Sequence, residues 1–225
     1  KYIERCLLSV LNQTWQDLEV ILVNDCTPDG SMQIVKKLIS SHPRGAVVRC
    51  LEHEKNKGLS AARNTGISVS VGDYLYFLDS DDYIPANAIE LLADAAVQKR
   101  PDFVIGNYEV TGARRWAPPL SLGTGLYEGN ALVLSNYVQE KWYVMAWNKL
   151  VSRPFVLQHQ LYFQEGIVHE DDLWSFKLAC MAQSMYVVDE TTYYYSMQPD
   201  SIMRAPSMRN LESVSYTHLT LPTNS

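Results

Sequence analysis

Paired cysteines are missing from this chain. Cys6, Cys26, Cys50 and Cys180 lie far apart with no CxxC pair, which argues against a disulfide framework or a thiolate zinc site and leaves free thiols suited to a reducing compartment. Basic charge is also scarce. Lys and Arg number 19 against 25 Asp and Glu, a net charge of −6, and no basic run or basic amphipathic helix offsets it, so no nucleic-acid partner is expected. No apolar run in this sequence approaches the roughly 20 residues of a membrane-spanning helix; peripheral membrane association is compatible with that, and a segment beyond the given sequence could carry an anchor. Two phosphate-binding signatures are absent as well, GxGxxG and a Walker-type GKS or GKT. What is present is 225 residues, 47% hydrophobic and 20% charged, enough for one globular domain with a sizeable core, or one domain plus a small appendage.

The stretch that organises the rest is YLYFLDSDD, residues 74–82. Its apolar start reads as a strand buried on both faces, and it ends abruptly in Asp79, Ser80, Asp81 and Asp82. Three carboxylates within four residues repel one another and cannot all ionise in a dry core. They belong at the solvent edge with a shared counter-charge, and a hard divalent cation suits oxygen ligands. An acidic turn capping a helix near Pro85 explains the same residues about equally well.

Before this stretch the chain alternates. A helix carries Ile3, Leu7, Leu8 and Leu11 on one side, and a strand over residues 18–25 stops at Asp25. CTPDGS supplies a turn, and the next helix, residues 32–39, aligns Ile34, Val35, Leu38 and Ile39. A strand over 46–52, a polar loop through Asn56, Lys57 and Gly58, and a helix holding Arg63 and Asn64 lead into the central strand. This order predicts an α/β, Rossmann-like architecture, a mostly parallel central sheet covered by helices. In such a sheet, ligand crevices form at the carboxyl ends of strands, so Asp25, Asp79, Asp81 and Asp82 should share one acidic edge. A metal bridging to phosphate oxygens would let that edge accept a phosphate-bearing ligand, with Arg63 and Lys57 as further cations.

Three motifs in order carry a resemblance. LNQTWQDLEVILVNDCTPDG (11–30) resembles the family-2 glycosyltransferase opening, NKGLSAARNTGI (56–67) resembles that family's N-x-G-x-x-x-A-R-N-x-G segment, and FLDSDD its D-x-D metal motif. The similarity spans about residues 9–201. It implies the GT-A fold, a nucleotide-diphosphate sugar donor, with a UDP-sugar favoured, and Mn2+ or Mg2+ as cofactor.

Residue by residue, the resemblance implies that Asp25 contacts the nucleotide base or ribose, that Arg63 lies near base and pyrophosphate, and that Asp79 and Asp81 are the first and second acids of the metal motif. Asn24 stands where the family has the first Asp of a pair, so it can hydrogen-bond a nucleotide but brings no charge. Cys26, Thr27 and Pro28 replace the usual Gly-Ser-Thr. The family's first strand is expected upstream of Lys1.

The second half should receive the acceptor, a glycan or lipid-linked saccharide. A helix introduced by Pro85 and a strand over 102–110 are followed by an irregular stretch, 111–126, in which Trp116 is either a sugar-stacking residue or simply packed. WNKL, with Trp147, Asn148 and Lys149, resembles a segment of bacterial polysaccharide members and offers acceptor or phosphate contacts; a buried Trp at a helix start fits nearly as well. Glu170, Asp171 and Asp172 precede an apolar helix whose dipole would hold them ionised, and an ionised carboxylate aimed at a sugar hydroxyl is a general base. An acidic first turn is also an ordinary stabilising device. The resemblance implies that Glu170 and Asp171 form the family's E-D motif, with Asp171 as base and His169 orienting or packed. MYVVDETTYYYSMQPDSI reads as two short strands, and Ser196 stands where the family has Arg, for which Arg204 or Arg209 could substitute.

The expected division is a nucleotide-sugar half over 1–105, an acceptor half with the base over 106–213, and a tail over 214–225 that resembles a translated sequencing adapter and is set aside. The activity implied is inverting sugar transfer in bacterial surface polysaccharide or glycolipid assembly, in the cytoplasm or at the inner face of the cell membrane. A nucleotidyltransferase and a non-catalytic sugar-nucleotide or glycan-binding module are the competing classes. A haloacid-dehalogenase-like phosphatase is weaker, since Ser80-Asp81-Asp82-Tyr83 lacks the continuation that class uses.

Overall fold

A computed structural model describes residues 2–112 and 118–197. In chain order the elements are α1 (Ile3–Leu11), β1 (Val20–Asn24), α2 (Ser31–Ser41), β2 (Val48–Glu52), α3 (Leu59–Val69), β3 (Tyr74–Tyr76) and α4 (Ala88–Lys99). They continue as β4 (Phe103–Gly112), β5 (Gly125–Glu128), α5 (Asn130–Val138), β6 (Lys149–Ser152), α6 (Arg153–Gln158), α7 (Glu170–Met181) and β7 (Ser184–Met197). The expected α/β alternation holds from α1 to β4; after it β4 and β5 follow each other directly, as do α6 and α7.

The sheet differs from the expected mostly parallel one. β1 and β2 pair in parallel as a sheet of their own, and the other five strands run in the order β3-β6-β4-β7-β5. β6 is antiparallel to both β3 and β4, β5 is antiparallel to β7, and only β4 and β7 pair in parallel in this sheet. The cause is β6. It comes from far along the sequence and inserts between β3 and β4, which therefore run the same way without touching. β4 also crosses the expected boundary at residue 105, so one sheet is shared by both expected halves.

Two strands depart from their sequence reading. β3 stops at Tyr76 and only Leu75 is buried, with Tyr74 and Tyr76 half-buried, so it is not enclosed on both faces. The region expected as two strands is one 14-residue strand, β7. It stays continuous because register shifts around Asn107 absorb the mismatch with β4.

β1 and β3 share no ladder. Between them lies a cleft of about 300 Å3, lined by Ile21 and Val23 on one side, Leu75 and Phe77 on the other, and Ile67 of α3. At one end the Glu19 carboxylate closes the gap, accepting the N–H groups of Val71 and Gly72 at 2.6 and 2.7 Å.

Period-two alternation sets the core. Along β4, Phe103 and Ile105 join a large core with Trp142, Trp147, Trp174 and Leu178, while Val104 turns to the opposite face against Leu92 and Ala96 of α4. Leu7 and Leu11 of α1 meet Val35 of α2 in a separate small core, as their spacing predicted. β4 and β7 approach so closely that a Cβ on Gly106 would lie 1.8 Å from Thr192 Oγ1, so no larger residue fits without movement of buried Thr192.

Candidate active site

The loop after β1 is built around Asp25. One carboxylate oxygen meets His53 Nδ1 at 2.6 Å and the Lys57 N–H at 2.8 Å, and the other accepts the Gly58 N–H at 2.7 Å. Burial works against the charged form, but the His53 bond and the two N–H donors overcome it and hold the Asp25 carboxyl below its ordinary range. His53 Nε2 in turn lies 2.9 Å from Thr65 Oγ1 on α3. Asn24 is buried, donating to Glu52 at 3.0 Å and accepting the Thr27 N–H at 2.9 Å. In this structure both residues shape the loop 24–58 from within, and Cys26 sits beside them in the left-handed region at φ 57°.

Arg63 is the centre of the site. Projecting from α3 and only 7% exposed, it donates through Nη2 to Asp79 at 3.0 Å and through Nη1 to Glu170 at 3.0 Å and Asp171 at 2.5 Å. Its guanidinium also lies over the Phe163 ring at 4.9 Å. Burial disfavours its charge, yet Asp171, Asp79 and Glu170 outweigh that cost and keep it firmly protonated. The acid cluster after β3 and the acid cluster opening α7 are thus gathered on one side chain. The neighbouring Asn64 makes a two-way bond with the backbone of Phe163, at 2.9 and 2.8 Å, which fixes the segment before α7 to α3.

One cation shared by three carboxylates leaves negative charge unbalanced. Burial raises the Asp79 carboxyl, with Arg63 opposing, and burial and then Asp171 raise Glu170. Burial also raises Asp81. Asp82 is 1% exposed and belongs to the framework. It accepts from the Tyr193 hydroxyl at 2.6 Å and the Ser196 N–H at 2.7 Å, and burial pushes its carboxyl to about 7 despite both donors. At the start of α7, His169 is the residue before the first turn, at φ 60°, and its carbonyl accepts the Asp172 N–H. A non-glycine residue in that region is a local strain of the kind often found at functional sites.

Trp147, Asn148 and Lys149 are buried, with exposures of 2%, 0% and 0%. As placed here their side chains make their contacts within the fold. The indole stacks on Tyr193 with ring centres 4.3 Å apart, and the Tyr193 hydroxyl meets the backbone N–H of Asp79 at 3.3 Å. Asn148 donates to the carbonyls of Gly106 and Asn107 and accepts from Tyr76 and Thr192. The Lys149 ammonium donates to the carbonyls of Tyr143 and Met145 and faces the Tyr143 ring at 4.3 Å, and burial lowers it to about 7. Trp147 lies in a turn two residues before β6, and not at the helix start considered from sequence. Trp116, Arg204 and Arg209 lie outside the described residues.

Sequence reasoning missed His53, Phe163 and Tyr193 as parts of the site. A histidine just past a strand end, in the same polar loop as Asn56, was the available signal for His53. The other two act across separations of 100 and 114 residues, which periodicity does not report.

Among the described residues no three His, Cys, Asp or Glu side chains form a ready cation cage. That arrangement still fits Mg2+ or Mn2+, because such ions commonly take one or two carboxylates and draw their other ligands from substrate phosphates and water. Asp81 and Asp79, hard oxygen donors in a region short of positive charge, suit that mode. No helix among the described residues is long and apolar enough to cross a membrane.

Comparisons with known proteins bear on the family and the fold. The chain is 34% identical over 217 residues to an uncharacterized glycosyltransferase, EpsJ, of Bacillus subtilis, covering 91% of this chain and 60% of that protein. It is 43% identical over 94 residues to a chondroitin synthase of Escherichia coli, covering 42% of this chain and 13% of the synthase. The chain therefore spans about 60% of the length of EpsJ and much less of the synthase. Among solved structures, Staphylococcus aureus TarS 1-349 in complex with UDP-GlcNAc superposes with a TM-score of 0.80 at 21% identity, over 97% of this chain and 62% of that one. That likeness establishes the GT-A fold. A family model described as Glycosyl transferase family 2 matches residues 1–153, and with it the chain is placed as a member of the family-2 glycosyltransferases.

Proposed function

We propose that this chain catalyses inverting transfer of a sugar from a nucleotide-diphosphate donor, a UDP-sugar, to a hydroxyl of a glycan or lipid-linked saccharide. The pathway proposed is bacterial surface polysaccharide or glycolipid assembly at the cytoplasmic face of the membrane. The observation that carries the reading is the position of Arg63, which holds Asp79 of the donor side and Glu170 and Asp171 of the acceptor side within one guanidinium. A binding module would need the first cluster alone; a transferase needs both. The TarS complexes with UDP and with UDP-GlcNAc support UDP as the nucleotide.

In this mechanism Asp171 accepts the proton of the acceptor hydroxyl as that oxygen attacks the anomeric carbon. The bond between that carbon and the diphosphate oxygen breaks on the opposite side, so configuration inverts. Arg63 engages Asp171 through Oδ1, and we assign the proton to Oδ2. Glu170, on the same guanidinium nitrogen, fixes the direction in which Asp171 points. Asp81 and Asp79 would hold Mn2+ or Mg2+, which would supply positive charge to the departing diphosphate. Trp147 and Tyr193 form the floor that sets the height of Asp79, and the loop shaped by Asp25 and His53 borders the nucleotide.

Calorimetric titration of UDP-sugars with Mn2+ and with EDTA tests the division of roles. Asp81→Ala should abolish metal-dependent donor binding. Asp171→Asn should bind donor nearly as the parent does while transfer falls roughly 10²- to 10⁴-fold, the range for loss of a general base. Equal loss of donor binding in both variants would refute this assignment.

A further inference from the structure

Arg63 is fully engaged by carboxylates and Lys149 is sealed in the core, so neither is free to meet a diphosphate. A different cation is held at the same edge. Arg5, in the first turns of α1, reaches across to the D-S-D segment and β7: its Nη2 donates to the Asp81 carbonyl at 2.9 Å and to the Ser196 hydroxyl at 2.7 Å. Its guanidinium lies 4.0 Å above the Tyr83 ring, which is itself stacked on Tyr194 at 4.7 Å. An exposed arginine ordinarily wanders among rotamers; this one is fixed on three sides.

None of those three partners is charged. Among the described residues the ion pairs within 4.0 Å involve Arg63 and His53 and none involves Arg5. The guanidinium is thus oriented without a direct ion pair, near enough to Asp81 for its charge to act on that carboxylate. A planar donor fork in that state is well suited to phosphate oxygens. Ser196 is small enough to leave the space that the guanidinium fills, and the Ser196 N–H bond to buried Asp82 holds the hydroxyl in place.

We propose that Arg5 is a cationic contact for the donor diphosphate, positioned by Ser196 and the Asp81 backbone. The proposal rests on the donor reading above. It assigns donor affinity to α1, a helix outside the D-x-D and E-D motifs.

The test compares UDP with uridine, each titrated with Mn2+ against the full chain and against Arg5→Gln and Arg5→Lys. Arg5→Gln should weaken UDP binding roughly ten-fold or more, the loss expected for a charged hydrogen bond, and leave uridine binding and the melting temperature unchanged. Arg5→Lys, which keeps the charge but not the planar fork, should recover part of the UDP affinity. Unchanged UDP affinity in Arg5→Gln overturns the proposal. So does an equal loss of uridine binding, or a fall in melting temperature that Lys does not repair, since either marks a purely structural tie between α1 and β7. If the parent chain binds neither ligand, the donor reading itself fails and the role of Arg5 falls with it, an outcome separable because it precedes any substitution.

Discussion

Replacing Arg63 with methionine keeps an apolar stem in place of the arginine's and removes the charge from the middle of three carboxylates. Breaking a buried ion pair by deleting one partner costs about 3–5 kcal/mol, because the remaining charge is left uncompensated. The lower end, about 3 kcal/mol, applies because Asp79 keeps 29% exposure and water screens part of the repulsion. For a chain of this size, each kcal/mol is worth about 2–4 °C, so the melting temperature should fall roughly 6–12 °C. The pH dependence is the sharper signature. Asp79 and Glu170 already lie above their ordinary values of 3.8 and 4.5, through burial first, and Arg63 is the group that restrains both. Without it they rise further. A carboxyl raised in the folded state contributes stability that is full below its unfolded value and is lost as pH rises through its folded value. The deficit of Arg63→Met should therefore be small near pH 4.5 and grow toward pH 8. Urea unfolding of both proteins across that range checks it. A deficit that stays constant with pH, or below about 1 kcal/mol at pH 8, would show that the guanidinium does not balance this cluster.

Two further outcomes follow from the framework around the site. Asp82 titrates at about 7 in the fold against 3.8 as its ordinary value, so the stability it contributes should be full below pH 4 and decline up to pH 7; Asp82→Asn should remove that part of the slope in pH-dependent urea unfolding. Gly106→Ala would place a methyl 1.8 Å from the hydroxyl of fully buried Thr192, and should cost about 1–3 kcal/mol in thermal unfolding, with Thr192→Ala in the same background restoring most of it.

The acids were legible in the sequence because each borders an apolar segment: Asp25 closes the 18–25 run, Asp79 the central one, and Glu170 to Asp172 open an apolar helix. Where chemistry follows a change in local hydrophobic pattern, a single sequence reports it. Strand order was not legible. β6 is four residues long and enters the sheet between strands that precede it, a long-range pairing with no local trace. Burial of a polar side chain is hidden in the same way. Asn148 and Lys149 look like contact residues because they are polar, yet their partners are carbonyls of Gly106, Asn107, Tyr143 and Met145 that only the folded chain brings near. The same limit hid the triple pairing of Arg63, whose acids lie 16, 107 and 108 residues away.

Charge accounts for why the donor and its cation should arrive together. Asp79, Asp81, Glu170 and Asp171 lie at one edge, and Arg63 can balance only part of them. A diphosphate alone would add negative charge to that surplus and should bind poorly. A divalent ion alone would find Asp79 already committed to Arg63 and Asp81 as a single further oxygen donor, too few ligands for tight binding. In the proposed mechanism, an ion and a diphosphate bound as a unit would supply the missing charge and the missing oxygens respectively, and each would raise the affinity of the other. In the role proposed for it, Arg5 would add to the diphosphate side of this coupling, its own anchors being a carbonyl, a hydroxyl and an aromatic face. The same surplus keeps the carboxylates opening α7 close to a cation that leaves one Asp171 oxygen for the acceptor. An acidic site is thus consistent with binding an anionic donor, provided that donor is recognised as its metal complex.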